Sequence, residues 1–179
     1  TGLMKLFGTY LVSELDALAS HGVRLRIAGD RSGLVPALRQ LIEQAEAATR
    51  DNDRITLTVC ANYGGRWDML QAARAWQESN PGLGLEHMDE AGLASFLSTA
   101  PAPEVDLLIR TGGESRISNF LLWQSAYAEF YFSQKLWPDF DAAELDAAIA
   151  DYERRERRYG KTSDQVRDGG QAPAGRKAA

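Results

Sequence analysis

Two arginines, two glycines and two serines fall within nine residues of this chain, in Arg110-Thr111-Gly112-Gly113-Glu114-Ser115-Arg116-Ile117-Ser118. Guanidinium groups grip phosphate oxygens in pairs, small hydroxyls add donors, and glycine lets backbone N–H groups come close to an anion. Taken singly, each of these residues is ordinary loop material. Their convergence beside the apolar run Val105 to Ile109 predicts an anion site, for phosphate or diphosphate. Glu129 follows on the next apolar segment, a carboxylate where a diphosphate-bound Mg²⁺ would want one.

The elements that must position this loop alternate between helix and strand. Apolar residues at helical spacing (Leu3, Leu6, Phe7, Leu11, Leu15, Leu18) predict a helix over 3–20, stopped at His21-Gly22. Strands are expected at 23–28, 55–61, 105–109 and 129–132. Pro36 suits the first turn of a helix reaching about Arg50, and Gly64-Gly65 opens another through Ser79. A loop over 80–88 leads to a short helix capped by Asp89, and residues 118–127 read as a helix. Asp141 and Glu144 form an Asp-x-x-Glu capping box for a last helix ending near Arg157. The expected class is α/β: a single domain over 1–161 with a central parallel β-sheet flanked by helices, followed by a disordered tail over 162–179. In such a sheet, ligands bind at the carboxyl ends of the strands. The loops at Gly29-Asp30, Asn62 to Arg66 and Arg110 to Ser118 all follow strands in this way.

Composition narrows the setting. At 179 residues and 44% hydrophobic content, the chain can build one core but hardly two. A net charge of −5 argues against a nucleic-acid surface. Cys60 is the one cysteine, so no internal disulfide can form, and a reducing cytoplasmic setting is the default. No apolar run approaches bilayer length. His21 and His87 lack metal-ligand spacing, and no Walker-type or GxGxxG nucleotide motif occurs.

The run RTGGESRISNFLLWQSAYAEFYF, continuing to LWPDF, closely resembles the signature of the cis-prenyltransferases, the undecaprenyl diphosphate synthase family. Ala61-Asn62-Tyr63-Gly64-Gly65-Arg66-Trp67-Asp68 resembles that family's NYGGR segment, and Glu153 to Gly160 its closing Arg-x-Gly. These blocks stand in family order, and the similarity spans roughly residues 3–160. The family's opening Asp-Gly-Asn-Gly-Arg-Trp, whose Asp serves Mg²⁺ and the allylic diphosphate, does not occur in these 179 residues. The resemblance therefore implies the C-terminal two-thirds of a synthase, catalytically incompetent as it stands. Ser115 departs from many members, which carry a larger polar side chain at that point.

The resemblance also implies a reaction and a set of residues. Isopentenyl diphosphate would be condensed with cis geometry onto an allylic diphosphate such as farnesyl diphosphate, giving an undecaprenyl-type lipid carrier for cell-wall assembly. Arg110, Arg116 and Ser118 would hold the isopentenyl diphosphate, with Ile117 contributing backbone, and Glu129 would serve Mg²⁺. Read from the residues themselves, Glu114 would contact ligand, orient Arg116 or cap the turn, and Asn62, Tyr63 and Arg66 would brace their loop. Residues 3–18 would wall a prenyl tunnel, with Leu3, Phe7 and Leu11 facing either product or core. Arg158 and Gly160 would reach across a homodimer interface to the partner's substrate, and a lipid product implies peripheral contact with the inner face of the plasma membrane. Two other readings stand beside this one. The first is a silent binding subunit of a heteromeric prenyltransferase, which such an intact anion loop disfavours. The second is an unrelated phosphate-binding enzyme; the DDxxD signature of the trans-prenyltransferases is absent.

Overall fold

The computed structural model describes residues 2–155. Arg157, Arg158, Gly160 and the tail over 162–179 lie outside the described residues, as does the side chain of Leu3. The chain divides into two units, Thr1–Pro103 with Asn119–Trp123, and Glu104–Ser118 with residues 124 onward.

In the first unit, α1 (Gly2–Ser20) leads to β1 (Val23–Ala28), α2 (Pro36–Ala48) crosses over, and β2 (Ile55–Cys60) returns parallel to β1. The register runs from Val23 opposite Ile55 to Ala28 opposite Cys60. Alternation along β1 decides its faces. Leu25 and Ile27 join Leu11, Leu34, Leu38, Ile42 and Ala45 in a buried cluster, with Phe7 packed against it. Burial at this density is the main force holding α1 and α2 to the strands. On the opposite face, Arg24 donates to the Asn52 carbonyl and Arg26 to the carbonyls of Thr99 and Ala100. The outer edge of β1 is closed by side chains: the Leu25 amide donates to Thr49 Oγ1 at 3.0 Å and the Ile27 amide to Glu46 Oε1 at 2.8 Å. An edge capped in this way cannot template another strand at those amides.

Helix α3 (Gly65–Ser79) has no cap from its own neighbourhood, because Gly64 carries no side chain. Asn119 supplies it from 53 residues away: its carbonyl accepts from the Gly65 amide at 2.7 Å and its Oδ1 from the Arg66 amide at 3.0 Å. A Cβ at Gly65 would sit 2.7 Å from Leu122 Cγ, so the close approach of this segment demands glycine. The expected helix over 118–127 is accordingly absent. Ser118, Asn119 and Leu121 have φ values of 50°, 63° and 46°, and residues 118–127 form turns. Left-handed backbone cannot continue a right-handed helix, and the amides of α3 outcompete the local helical pattern.

Asp68, only 1% exposed, ties the end of this unit together. Its carboxylate accepts from Tyr63 Oη at 2.9 Å, Gln71 Nε2 at 2.9 Å and the Ser98 amide at 2.8 Å. The short helix α4 (Glu90–Ser95) is capped by Asp89, as its sequence predicts, and the loop before it contains a single 3₁₀ turn at Leu85–His87.

The second unit pairs β3 (Leu107–Arg110) in parallel with β4 (Glu129–Phe132) and continues to α5 (Ala142–Arg154). The α/β class and the parallel pairing agree with the sequence reading; the strands form two ladders of two, one in each unit. Strand β3 is displaced from the expected 105–109, because the Val105 amide bonds to the Gln124 carbonyl while the Arg110 carbonyl accepts from the Ser133 amide. Asp141 caps α5 by accepting from the Glu144 amide at 2.9 Å. The capping box remains half made, since the Glu144 carboxylate turns to Ser133 and Tyr131 instead. Helix α5 ends at Arg154, short of the expected Arg157, with Arg155 extended at its C-cap.

Removing the Asp68 carboxylate takes an acceptor from the half-buried Tyr63 hydroxyl and Ser98 amide, each loss costing roughly 1–3 kcal/mol, while Gln71 keeps the Phe96 carbonyl. Asp68→Ala is expected to lower the urea midpoint by an amount equivalent to about 3 kcal/mol or more. A midpoint within error of the parent protein would deny Asp68 this tying role.

Candidate functional site

Arg110 is the last residue of β3, at its carboxyl end, where a parallel ladder opens toward ligands. Its Nε–H is buried and meets no partner among the described residues. A buried, unsatisfied guanidinium N–H is costly, and an anion is the group that would satisfy it. The glycines that follow behave differently from the sequence expectation. Gly112 and Gly113 hold φ at 84° and 69°. Their amides do not face an anion: that of Gly112 donates to the Lys135 carbonyl at 2.7 Å and that of Gly113 to the Ser133 carbonyl at 2.9 Å. Glycine is needed here so that the loop can fold back on the end of β4. With these amides occupied, the side chains of Arg110, Arg116 and Ser118 are the candidate donors for an anion at this loop.

Arg116 is ion-paired to Glu114, with 69% of its side chain exposed. Glu114 thus orients Arg116, the role its position predicts. Ser118 is exposed, and Ile117 is half-buried between the two. Glu129 lies elsewhere on the ladder. It pairs with Leu107, three residues back from the Arg110–Phe132 pair, or about 10 Å of strand. Its Oε2 accepts from Arg155 Nη1 at 2.8 Å, and Arg155 Nη2 also reaches Asp151 at 2.6 Å. Asp151 is held below the ordinary carboxylate range, chiefly by its hydrogen bond to Arg155.

In the first unit, two strand-end loops are joined to each other. The Asp30 amide donates to the Asn62 carbonyl at 3.1 Å and Asn62 Nδ2 to the Asp30 carbonyl at 2.9 Å. Asn62 and Tyr63 therefore brace their loop, as expected. Between α1 and the start of α2 lies an apolar groove of about 460 Å³, lined by Met4, Gly8, Leu34, Val35, Leu38 and Leu41. Phe7 and Leu11 face the core rather than this groove.

Comparison with known proteins shows the family. The family model described as "Putative undecaprenyl diphosphate synthase" matches residues 1–160. The chain belongs to the undecaprenyl diphosphate synthase family. It is 52% identical over 172 residues to the isoprenyl transferase of Ralstonia nicotianae, covering 96% of this chain and 66% of that protein. It is 50% identical over 168 residues to the ditrans,polycis-undecaprenyl-diphosphate synthase ((2E,6E)-farnesyl-diphosphate specific) of Pseudomonas aeruginosa, covering 93% and 67%. Among solved structures, lavandulyl diphosphate synthase from Lavandula x intermedia in complex with dimethylallyl diphosphate superimposes with a TM-score of 0.82 at 37% identity, over 89% of this chain and 70% of that one. The chain spans 62–67% of the length of the curated relatives it matches.

The family implies Mg²⁺, and the donor set bears on that directly. Among the described residues no three His, Cys, Asp or Glu side chains gather to hold a metal ion. Glu129 offers a single carboxylate, already neutralised by Arg155. As it stands, this arrangement is not a Mg²⁺ cage.

Several residues that organise this family member were not singled out by sequence reasoning. Asn119 caps α3 through left-handed backbone, which an apolar helical pattern conceals. Ser133 and Glu144 hold the end of β4, and only the capping-box spacing drew attention to Glu144. Its carboxylate is held below the ordinary range, first by the Ser133 hydroxyl, then by Tyr131 and Lys135. Among the described residues no helix is long and apolar enough to cross a membrane.

Proposed function

We propose that this chain carries the isopentenyl diphosphate site of a cis-prenyltransferase, which condenses that substrate onto an allylic diphosphate to build a long polyprenyl diphosphate. The observation that carries this reading is the buried, unpartnered Nε–H of Arg110 at the carboxyl end of β3. Arg116, steadied by Glu114, and the exposed Ser118 supply further donors on the same loop. Ile117 contributes main chain between them. Farnesyl diphosphate is the proposed primer and an undecaprenyl-type carrier the proposed product, by analogy with the farnesyl-diphosphate-specific Pseudomonas aeruginosa relative.

Guanidinium groups held in place at a diphosphate stabilise charge and fix the reacting carbons close together, without reorganising during the reaction. The groove beside Gly8 and Leu38 offers a growing prenyl chain a wall of mainly apolar side chains. Glu129 is the carboxylate of this chain proposed to contribute to Mg²⁺ binding, through its free oxygen or by displacing Arg155, and the ion would supply neutralisation of diphosphate charge. With no Asp-Gly-Asn-Gly-Arg-Trp run among the 179 residues, turnover by them alone is not expected.

A homodimer is also proposed, with Arg158 and Gly160 contributing to the partner's site. Supporting it, the second unit exposes Leu136 at 62%, Trp137 at 75%, Leu145 at 42% and Ile149 at 41%. Exposed apolar surface of this extent is typical of interfaces. Sedimentation analysis of the intact protein should give a species of twice the chain mass, and a monomer at micromolar concentration would remove the claim.

The decisive experiment follows labelled isopentenyl diphosphate into butanol-extractable product, with farnesyl diphosphate and Mg²⁺ present. Arg110→Ala and Arg116→Ala in the intact protein are each expected to lower turnover roughly 10²–10³-fold. Glu129→Gln should raise the Mg²⁺ concentration needed for half-maximal rate by about tenfold or more. Near-parental rates in both arginine variants would refute the site. Diphosphate binding without incorporation by the folded parent would favour the silent-subunit reading instead.

A further inference from the structure

The end of β4 connects two parts of the second unit that sequence reasoning kept separate. Ser133 is 2% exposed. Its amide donates to the Arg110 carbonyl at 2.8 Å, and its own carbonyl accepts from the Gly113 amide at 2.9 Å. Two residues on, the Lys135 carbonyl accepts from the Gly112 amide at 2.7 Å. Three of the four residues from Arg110 to Gly113 are thus pinned by main-chain bonds to Ser133 and Lys135. The same short segment is fastened on its other side to α5. Ser133 Oγ donates to Glu144 Oε1 at 2.7 Å and accepts from the Lys135 amide at 3.2 Å. Tyr131 Oη reaches the same Glu144 oxygen at 3.2 Å. Lys135 Nζ lies 3.5 Å from Glu144 Oε2 and 3.2 Å from Asp141 Oδ1.

We infer that Glu144, acting through Ser133, is a positioning residue for the diphosphate loop. The inference rests on the proposed function, because it assigns Glu144 to the loop that would bind isopentenyl diphosphate. The reason is geometric. The glycine amides are spent on fixing the loop, so the anion must be met by side chains, whose aim depends on where the loop backbone sits. That backbone is held by Ser133 and Lys135, and Glu144 holds both. Glu144 touches no substrate in this account. Its carboxylate serves as a buried hydroxyl's acceptor and as an ammonium's counter-ion. A glutamine keeps the acceptor oxygen and the shape, while alanine removes both, so the two substitutions separate positioning from charge.

The test uses the intact protein and four variants: Ser133→Ala, Glu144→Ala, Glu144→Gln and, as reference, Arg110→Ala. Affinity for isopentenyl diphosphate and for inorganic diphosphate is read by calorimetry, well below each variant's melting midpoint. Steady-state KM and kcat are measured for both substrates. Ser133→Ala and Glu144→Ala are expected to weaken isopentenyl diphosphate binding about tenfold, raise its KM in step, and leave the KM for the allylic diphosphate within about twofold. Glu144→Gln should restore affinity to within about threefold of the parent. A residue that only stabilised the fold would lower the melting midpoint without this substrate-selective change.

If Arg110→Ala also leaves affinity untouched, the proposed diphosphate site is wrong, and this inference falls with it. If Arg110→Ala abolishes binding while Ser133→Ala and Glu144→Ala bind as the parent does, only the positioning role is overturned. Equal loss in Glu144→Gln and Glu144→Ala overturns the assignment to geometry, because charge would then be the operative property.

Discussion

The second unit is organised around the main-chain continuation of the β3–β4 ladder beyond its last strand residues. Parallel pairing from Leu107–Glu129 to Arg110–Phe132 sets the register, and the bond from the Ser133 amide to the Arg110 carbonyl extends it by one step. Two glycines with positive φ then turn the chain so that their amides fall on the carbonyls of Ser133 and Lys135. A loop fixed by its own backbone loses little entropy when a ligand arrives. The cost of that rigidity is that these N–H groups are unavailable to an anion. An anion at this loop would have to be met by guanidinium side chains, which suit phosphate oxygens by their planar, forked donors.

The first unit solves a different problem by comparable means. A helix needs partners for its first amides, and Gly64 cannot provide them. Asn119 does so from a distant part of the chain, using both its carbonyl and its side chain. The same close approach that makes this bond possible excludes any side chain at Gly65. Asp68, one turn into the helix, gathers donors from Tyr63, Gln71 and Ser98. The bonds from the Asn62 to Asp68 block to Asp30, Gln71, Ser98 and Asn119 brace its own strand-end loop from within the unit.

Most of the elements were legible in the sequence, because their signals were local. Apolar spacing marked α1, β-branched alternation marked β1, Pro36 marked the start of α2, and Asp89 and Asp141 marked their helices. The failures share one cause. Residues 118–127 have a helical apolar pattern, yet Ser118, Asn119 and Leu121 adopt left-handed backbone in service of bonds to a distant helix. Glu144 has capping-box spacing, yet its carboxylate is claimed by Ser133 and Tyr131. In both, a long-range partner outcompeted the local one, and no window of sequence shows that competition. Residue type drew attention to Arg110, Arg116 and Glu114, but it could not show the direction of the loop's donors: the amides of Gly112 and Gly113 point to the Lys135 and Ser133 carbonyls.

Glu129 shows how residue type and position must be weighed together. A carboxylate on the strand beside an arginine loop is a natural candidate for a divalent cation. The register sets it three residues back from Arg110, and Arg155 bridges it to Asp151 from the end of α5. With Arg154 also paired to Asp151, two guanidiniums balance the two carboxylates, so a dication at Glu129 must displace Arg155 or approach from the free oxygen. Because Arg155 is also the residue at which α5 stops, displacing it would disturb the anchoring of that helix end. Occupancy of Glu129 and the anchoring of the α5 C-terminus are thus two ends of one ion pair. A change at either end must be felt at the other.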